Sequence, residues 1–157
     1  MLVRTAQVSD AKPLAELINE IIARGGTTAH RRPFDEQQMI EQFINPPYGI
    51  SCTVAVESLE IVGFQVLEWS DPNWPGPDKL SEDCGIIATY VALGCHGQGI
   101  GRKLFATTLA AAQAAGVRRI DATIRSENFG GQAYYDRMGF VDYRTGDSTV
   151  SKRLDFA

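Results

Sequence analysis

The chain has 157 residues, 44% apolar and 22% charged, with a formal net charge of −4 at pH 7. That length and balance fit one domain, residues 1–157, with apolar content enough for a core. The absence of a basic run argues against a nucleic-acid partner held through phosphates, no apolar run reaches membrane-spanning length, and three scattered cysteines (Cys52, Cys84, Cys95) make neither a disulfide framework nor a metal site.

The first residues lack the charged-then-apolar layout of a signal peptide, so a cytoplasmic protein is expected. Residues 2–8 read as a short strand. Ser9 or Asp10 then caps a helix in which Leu14, Leu17, Ile18, Ile21 and Ile22 keep a 3.6-residue period. Pro13 falls in its first turn, where a missing N–H costs little, and Gly25-Gly26 stops it. After the polar segment 27–33, Asp35 and Gln38 have the spacing of a capping box for a second helix running to about Ile44, with Phe34 and Met39 as its staple and Pro46-Pro47 as its end. Residues 51–56 and 61–69 read as a hairpin around a turn at 57–60. Residues 70–83 hold Pro72, Pro75 and Pro77 around Trp74 and read as a long loop.

An apolar, β-branched run at 86–91 passes directly into a glycine-dense turn, and a helix opens at about Gly99 and runs to Ala115. A strand followed by a tight loop and a helix N-terminus suits an anion, because unpaired backbone N–H groups and the positive end of the helix dipole meet there. Gly97, Gly99 and Gly101 carry no Cβ, so an anion can approach the main chain, and Arg102 and Lys103 add positive charge. Two familiar nucleotide loops fail: Lys103 follows Arg102 and precedes Leu104, which breaks the NTPase phosphate loop, and counting from Gly97 puts Arg102 where the dinucleotide fingerprint needs its last glycine. Downstream, residues 118–124 read as a strand, 129–138 as a helix ended by Gly139, and 140–143 and 149–154 as closing strands.

The segment His96-Gly97-Gln98-Gly99-Ile100-Gly101 resembles the pyrophosphate loop of the GNAT superfamily of acetyl-CoA-dependent N-acetyltransferases, whose pattern is Gln/Arg-x-x-Gly-x-Gly/Ala. It departs from that pattern at His96, and Leu93 stands where the family has a proline. One helix and one strand later, Asn128 followed by Tyr135-Asp136-Arg137-Met138-Gly139-Phe140 is similar to the family's Asn…Tyr-x-x-x-Gly-Phe. The resemblance is close over residues 85–143 and holds elsewhere in element order, β-α-α-β-β-β-α-β-α-β-β. It implies an α/β fold with a mixed, mostly antiparallel sheet, splayed where the strand ending at Val91 leaves the one starting near Arg118, with acyl-CoA in the gap. It also implies direct transfer of an acetyl group to a primary amine, and dimers in many members, for which the C-terminal strand ending at Leu154 is the expected contact.

On that resemblance the amides of Gly97, Gln98, Gly99, Ile100, Gly101 and Arg102 hold the pyrophosphate, with His96 either contacting it or standing as an exposed loop residue. The strand Tyr90, Val91 and Ala92 binds the pantetheine arm as a β-edge. Tyr135 is placed as general acid, since a phenol with a pKa near 10 keeps its proton at neutral pH. Tyr134, about 100° round the helix, is expected to face elsewhere. Asn128 contacts the cofactor arm, caps its helix, or does both. The strand 85–91 carries no carboxylate for a general base; Glu68, Asp71, Glu82 and Asp83 flank the cleft, and a water relay is the alternative. Thr27, Thr28, Arg31, Glu68, Trp69 and Trp74 are candidates to line the acceptor pocket, where Arg31 or Arg32 could pair with a substrate carboxylate. His30 reads as a surface residue, and Cys95 beside His96 is discounted as a nucleophile because sequence neighbours point apart. The reading favoured is acetylation of a small-molecule amine; a protein or peptide amine and a non-catalytic acyl-CoA-binding domain are the alternatives.

Overall fold

In the computed structural model, which describes residues 1–156, the elements follow as β1 (Leu2–Thr5), α1 (Ala11–Arg24), α2 (Glu36–Met39), β2 (Gly49–Glu57), β3 (Glu60–Trp69), β4 (Cys84–Val91), α3 (Ile100–Ala115), β5 (Arg119–Arg125), α4 (Phe129–Arg137), β6 (Val141–Thr145) and β7 (Thr149–Asp155). This is the expected order, with two local differences. The first strand stops at Thr5 and Val8–Asp10 form a 3-10 turn. There the Asp10 carboxylate accepts from the Gln7 N–H at 2.7 Å and from both Arg4 guanidinium nitrogens at 2.8 and 2.9 Å, so the chain bends before the helix begins. α2 opens on the reciprocal cap, Gln38 N–H to Asp35 Oδ1 at 2.8 Å and Asp35 N–H to Gln38 Oε1 at 2.9 Å, but widens into a π turn over Ile40–Ile44. Such turns are frequent at functional sites, and this one carries Gln42 and Phe43.

The sheet order is β1-β2-β3-β4-β5-β7-β6. Neighbours are antiparallel except β4 and β5, which run parallel through three pairs, Cys84–Arg119, Gly85–Ile120 and Ile86–Asp121. β4 then continues to Val91 and β5 to Arg125 without further pairing, so the sheet opens between them. α3 is the crossover that a parallel pair requires.

Strand alternation assigns the two faces. Val54, Phe64 and Tyr90 pack with Leu14, Ile18, Met39 and Phe43, so α1 and α2 cover one face. Leu67, Ile87, Ile120, Ala122 and Ile124 pack with Phe105, Ala112, Tyr135 and Phe140, so α3 and α4 cover the other. Loop 70–83 closes on itself: Ser70 N–H donates to Cys84 O at 2.9 Å, Ser70 Oγ to Ser81 O at 2.9 Å, and Trp74 Nε1 to Pro77 O at 2.8 Å. Among the described residues no helix is long and apolar enough to cross a membrane.

The β2–β3 hairpin turns on Ser58 and Leu59, at φ 50° and 68°. Leu59 is 98% exposed, so no packing offsets its left-handed backbone. Replacing the pair with Asn-Gly, the residues such a turn prefers, is expected to raise unfolding stability by about 1 kcal/mol. The check is the denaturant midpoint of the double variant; a lower midpoint contradicts the assigned turn.

Candidate functional site

After Val91 the chain makes a loop in which Gly94, Gly97 and Gly99 all have positive φ, and Gly99 caps α3 at φ 78° and ψ 9°. No atom lies within 4 Å of where a Cβ would stand at Gly97 or Gly99, so the main chain there is bare on its outer side. Ile100, 2% exposed, anchors the start of α3 in the core, leaving the amides of its first turn without intrahelical acceptors. His96, Gln98, Arg102 and Lys103 are exposed around this rim. Gly101 is glycine for a different reason: a Cβ there would meet Tyr134 Cε1 at 2.6 Å. Cys95 packs on Ala55, Ile100 and Leu104, as befits a small apolar filler.

The open edge of β4 is the second feature. Ala92 N–H donates to Val62 O at 2.9 Å, so Ala92 faces β3, and alternation turns Tyr90 the same way. Of the strand residues expected to bind a β-like arm, only Val91 presents its N–H and C=O to the opening. Thr89, one alternation earlier, presents its main chain the same way, and the sequence reading did not name it. Tyr90 instead sends its side chain into the α1/α2 face, stacked on Phe64 at 4.8 Å between centroids.

Four side chains meet beneath that edge. Tyr135 Oη lies 2.8 Å from Thr89 Oγ1; Gln65 Nε2 donates to Thr89 Oγ1 at 2.8 Å and to Tyr134 Oη at 3.0 Å; Tyr134 Oη donates to Gly101 O at 2.7 Å. The two tyrosine rings are edge to face at 4.9 Å, so Tyr134 is not turned away as the helical angle suggested; both hydroxyls reach the same polar cluster. Tyr135 is 6% exposed, and burial raises its phenol well above the ordinary value, as it does more modestly for Tyr134. Gln65 is fully buried within the run Ile61–Leu67, which is apolar but for that one residue, and this is the signal that could have marked it.

On the α1/α2 face a cavity of about 210 Å³ is lined by His30, Gln42, Phe43, Val66, Glu68, Ile86, Ile87, Ala88 and Tyr90. His30 is therefore not a surface residue. It is half-buried, edge-on to Phe34 at 5.0 Å and Phe43 at 6.0 Å, and burial lowers its pKa. Burial raises the Glu68 carboxyl. Glu68 is half-buried and forms no ion pair among the described residues. A second, more open depression of about 390 Å³ shares His30 and Gln42 and adds Arg31 and Arg32.

The other acceptor candidates fall outside this cavity. Trp69, one residue along β3 from Glu68, packs on the opposite face with the α3/α4 core. Trp74 is half exposed and engaged within its own loop. Thr27 and Thr28 turn their carbonyls towards β5 and α4: Thr27 O accepts from Asn128 Nδ2 at 3.2 Å and Thr28 O from Arg125 Nη1 at 3.4 Å. Asn128 also caps α4, accepting from Gly131 N–H at 2.9 Å. Asn19 fixes the other end of this segment, exchanging bonds of 2.9 and 2.8 Å with the Phe34 main chain. Asp71 and Asp83 are tied to Asn73 N–H and Ser81 Oγ within the long loop.

A family model described as the acetyltransferase (GNAT) family matches residues 15–140. A phosphinothricin N-acetyltransferase from Streptomyces coelicolor is 28% identical over 142 residues, 88% of this chain and 80% of that protein. Among solved structures, a ribosomal-protein-alanine N-acetyltransferase from Brucella melitensis aligns at TM-score 0.81 and 20% identity over 99% of this chain and 100% of that one. yncA from Salmonella typhimurium, solved with its cofactor acetyl-CoA, aligns at TM-score 0.75 and 17% identity over 98% and 92%. At these identities the structural likeness speaks for the fold.

Gly101→Ala should force the Tyr134 ring off α3 and lower stability by about 1–3 kcal/mol, the usual range for overpacking. Thermal or denaturant unfolding checks this; an unchanged midpoint contradicts the packing.

Proposed function

The chain belongs to the GNAT acetyltransferase family, and from that premise we propose that residues 1–157 act as one domain transferring an acetyl group from acetyl-CoA to the primary amine of a small molecule, with Tyr135 as general acid. The observation that carries this reading is the Tyr135 hydroxyl, buried and 2.8 Å from Thr89 at the open edge of β4.

The residues present suit acetyl-CoA. Bare main chain at Gly97 and Gly99, beside the first amides of α3, accommodates a diphosphate. Arg102 and His96 stand at its rim. Thr89 and Val91 offer a strand edge to the amide groups of a pantetheine arm. Asn128, whose side chain already bridges α4 and Thr27, follows the end of β5, the strand across that opening. When bound, acetyl-CoA supplies an activated acetyl thioester.

The chain's own work is to position and to move protons. Two protons leave the acceptor ammonium during amide formation. One must go before the nitrogen can attack; the other balances the departing thiolate. Burial keeps the Tyr135 phenol protonated through neutral pH, so it is a competent donor. Gln65 already donates to Thr89, which lets the Thr89 hydroxyl direct its own hydrogen at Tyr135 Oη and leaves the Tyr135 hydrogen free for the sulfur. The 27–34 segment, held by Asn19, Arg125 and Asn128, narrows the acceptor side, which favours a small amine over a peptide. The name of the Streptomyces coelicolor relative supports N-acetyl transfer.

Free thiol release from acetyl-CoA over a panel of amines tests this. Tyr135→Phe should lower kcat by about 10²–10⁴-fold with CoA affinity preserved, and Tyr134→Phe should have a far smaller effect. Unchanged turnover in Tyr135→Phe contradicts the acid assignment. Tight CoA binding with no turnover on any amine would make the protein an acyl-CoA-binding module instead.

A further inference from the structure

The two depressions on the α1/α2 face are neighbours that differ in charge. They meet at His30 and Gln42. The inner one holds Glu68 and neither lysine nor arginine; the outer one holds Arg31 and Arg32 and neither aspartate nor glutamate. None of these three charged residues forms an ion pair among the described residues. Glu68 pairs across the sheet with Ile86, the last β4 residue before the opening, so the inner depression adjoins the strand that carries the free edge.

We propose that the acceptor is a compact zwitterion, its ammonium received and deprotonated by Glu68 and its acidic group held by Arg31 and Arg32, the molecule lying across His30 and Gln42. This rests on the acetyltransferase reading and narrows it to a substrate class. The proton balance is complete. The ammonium gives one proton to the Glu68 carboxylate, which passes it to water. The neutral nitrogen forms its bond to the acetyl carbon as the carbon–sulfur bond breaks, and the second nitrogen proton replaces the one that Tyr135 gives to sulfur. A lone carboxylate in a partly apolar cavity favours a cationic guest over water, and paired guanidinium groups favour a carboxylate or another oxyanion.

The titratable groups facing Glu68 are His30 from the 25–34 segment and Tyr90 from β4; α2 and its π turn bring Gln42 and Phe43. Burial raises the Glu68 pKa, lowers that of His30 and raises that of Tyr90, so near neutral pH both rings are uncharged and Glu68 is the one acidic side chain of the cavity lining. Deprotonation needs Glu68 ionised, so the rate must fall as pH falls through its raised pKa.

The test uses a series of ω-amino acids, their methyl esters and putrescine, with thiol release for turnover and calorimetric titration into the CoA-bound protein for binding. Acid-bearing amines are expected to exceed their esters in kcat/KM by about 10-fold or more, the scale of a charge-assisted hydrogen bond. Arg31→Ala/Arg32→Ala should remove that preference in KM and in calorimetric affinity alike. Glu68→Gln should lower kcat/KM by about 10²-fold or more and abolish the acidic limb of the pH profile. Esters or putrescine working as well as the acids, or an acidic limb that survives Glu68→Gln, overturn this inference and leave the acetyltransferase reading standing. Absence of thiol release with every amine removes that reading, and this inference with it.

Discussion

Between Ile86 and Val91 a strand in the middle of the sheet has a hydrogen-bonding partner on one side only. β4 and β5 share three pairs and then part, and the main-chain groups of Thr89 and Val91 are left facing the gap. A bare strand edge inside a protein is unfavourable unless something pairs with it. The rest of the site is arranged around that vacancy in the ladder. The loop after Val91 turns the chain so that the positive end of α3 lies at the top of the gap, and Asn128 and Arg125 draw the 27–34 segment towards its far side.

Because successive side chains of a strand point to opposite faces, β4 also separates the two chemical tasks. Thr89 reaches the α3/α4 face and meets Tyr135, the proton donor of the proposed reaction. Ala88 and Tyr90 reach the α1/α2 face and line the cavity that holds His30 and Glu68. An acyl group held along the free edge would lie between donor and acceptor, with the leaving sulfur on one side and the entering nitrogen on the other. Direct transfer needs that placement and no enzyme nucleophile, in keeping with Cys95 being a packing residue.

The parts of the site legible in the sequence were those defined by local spacing. Gly97, Gly99 and the start of α3 were readable because positive φ and a helix N-terminus have a compositional signature; Asn128 and Tyr135 were readable because a short helix and a terminating Gly139 fix their interval. The parts that failed depend on phase or on distant contacts. A strand can be located to within a residue or two, but spacing alone does not set its phase, so Tyr90, Val91 and Ala92, and likewise Glu68 and Trp69, read together in the sequence and are divided between opposite sides only by the structure. His30 looks solvated in sequence and becomes a cavity wall only because Phe34 and Phe43, from two different segments, close on it. Tyr134 was excluded by a helical angle that ignores the length of a phenol and the reach of Gln65 from β3. Gly101, read as a phosphate contact, owes its missing side chain to that same tyrosine.

The most direct measurement is a crystal structure of the protein with CoA. The account requires the diphosphate to lie within hydrogen-bonding distance of the amides from Gly97 to Arg102, and the pantetheine amides to pair with Thr89 or Val91 in the gap between β4 and β5. A diphosphate bound elsewhere, or a gap that closes by pairing β4 with β5 beyond Ile86, would contradict it.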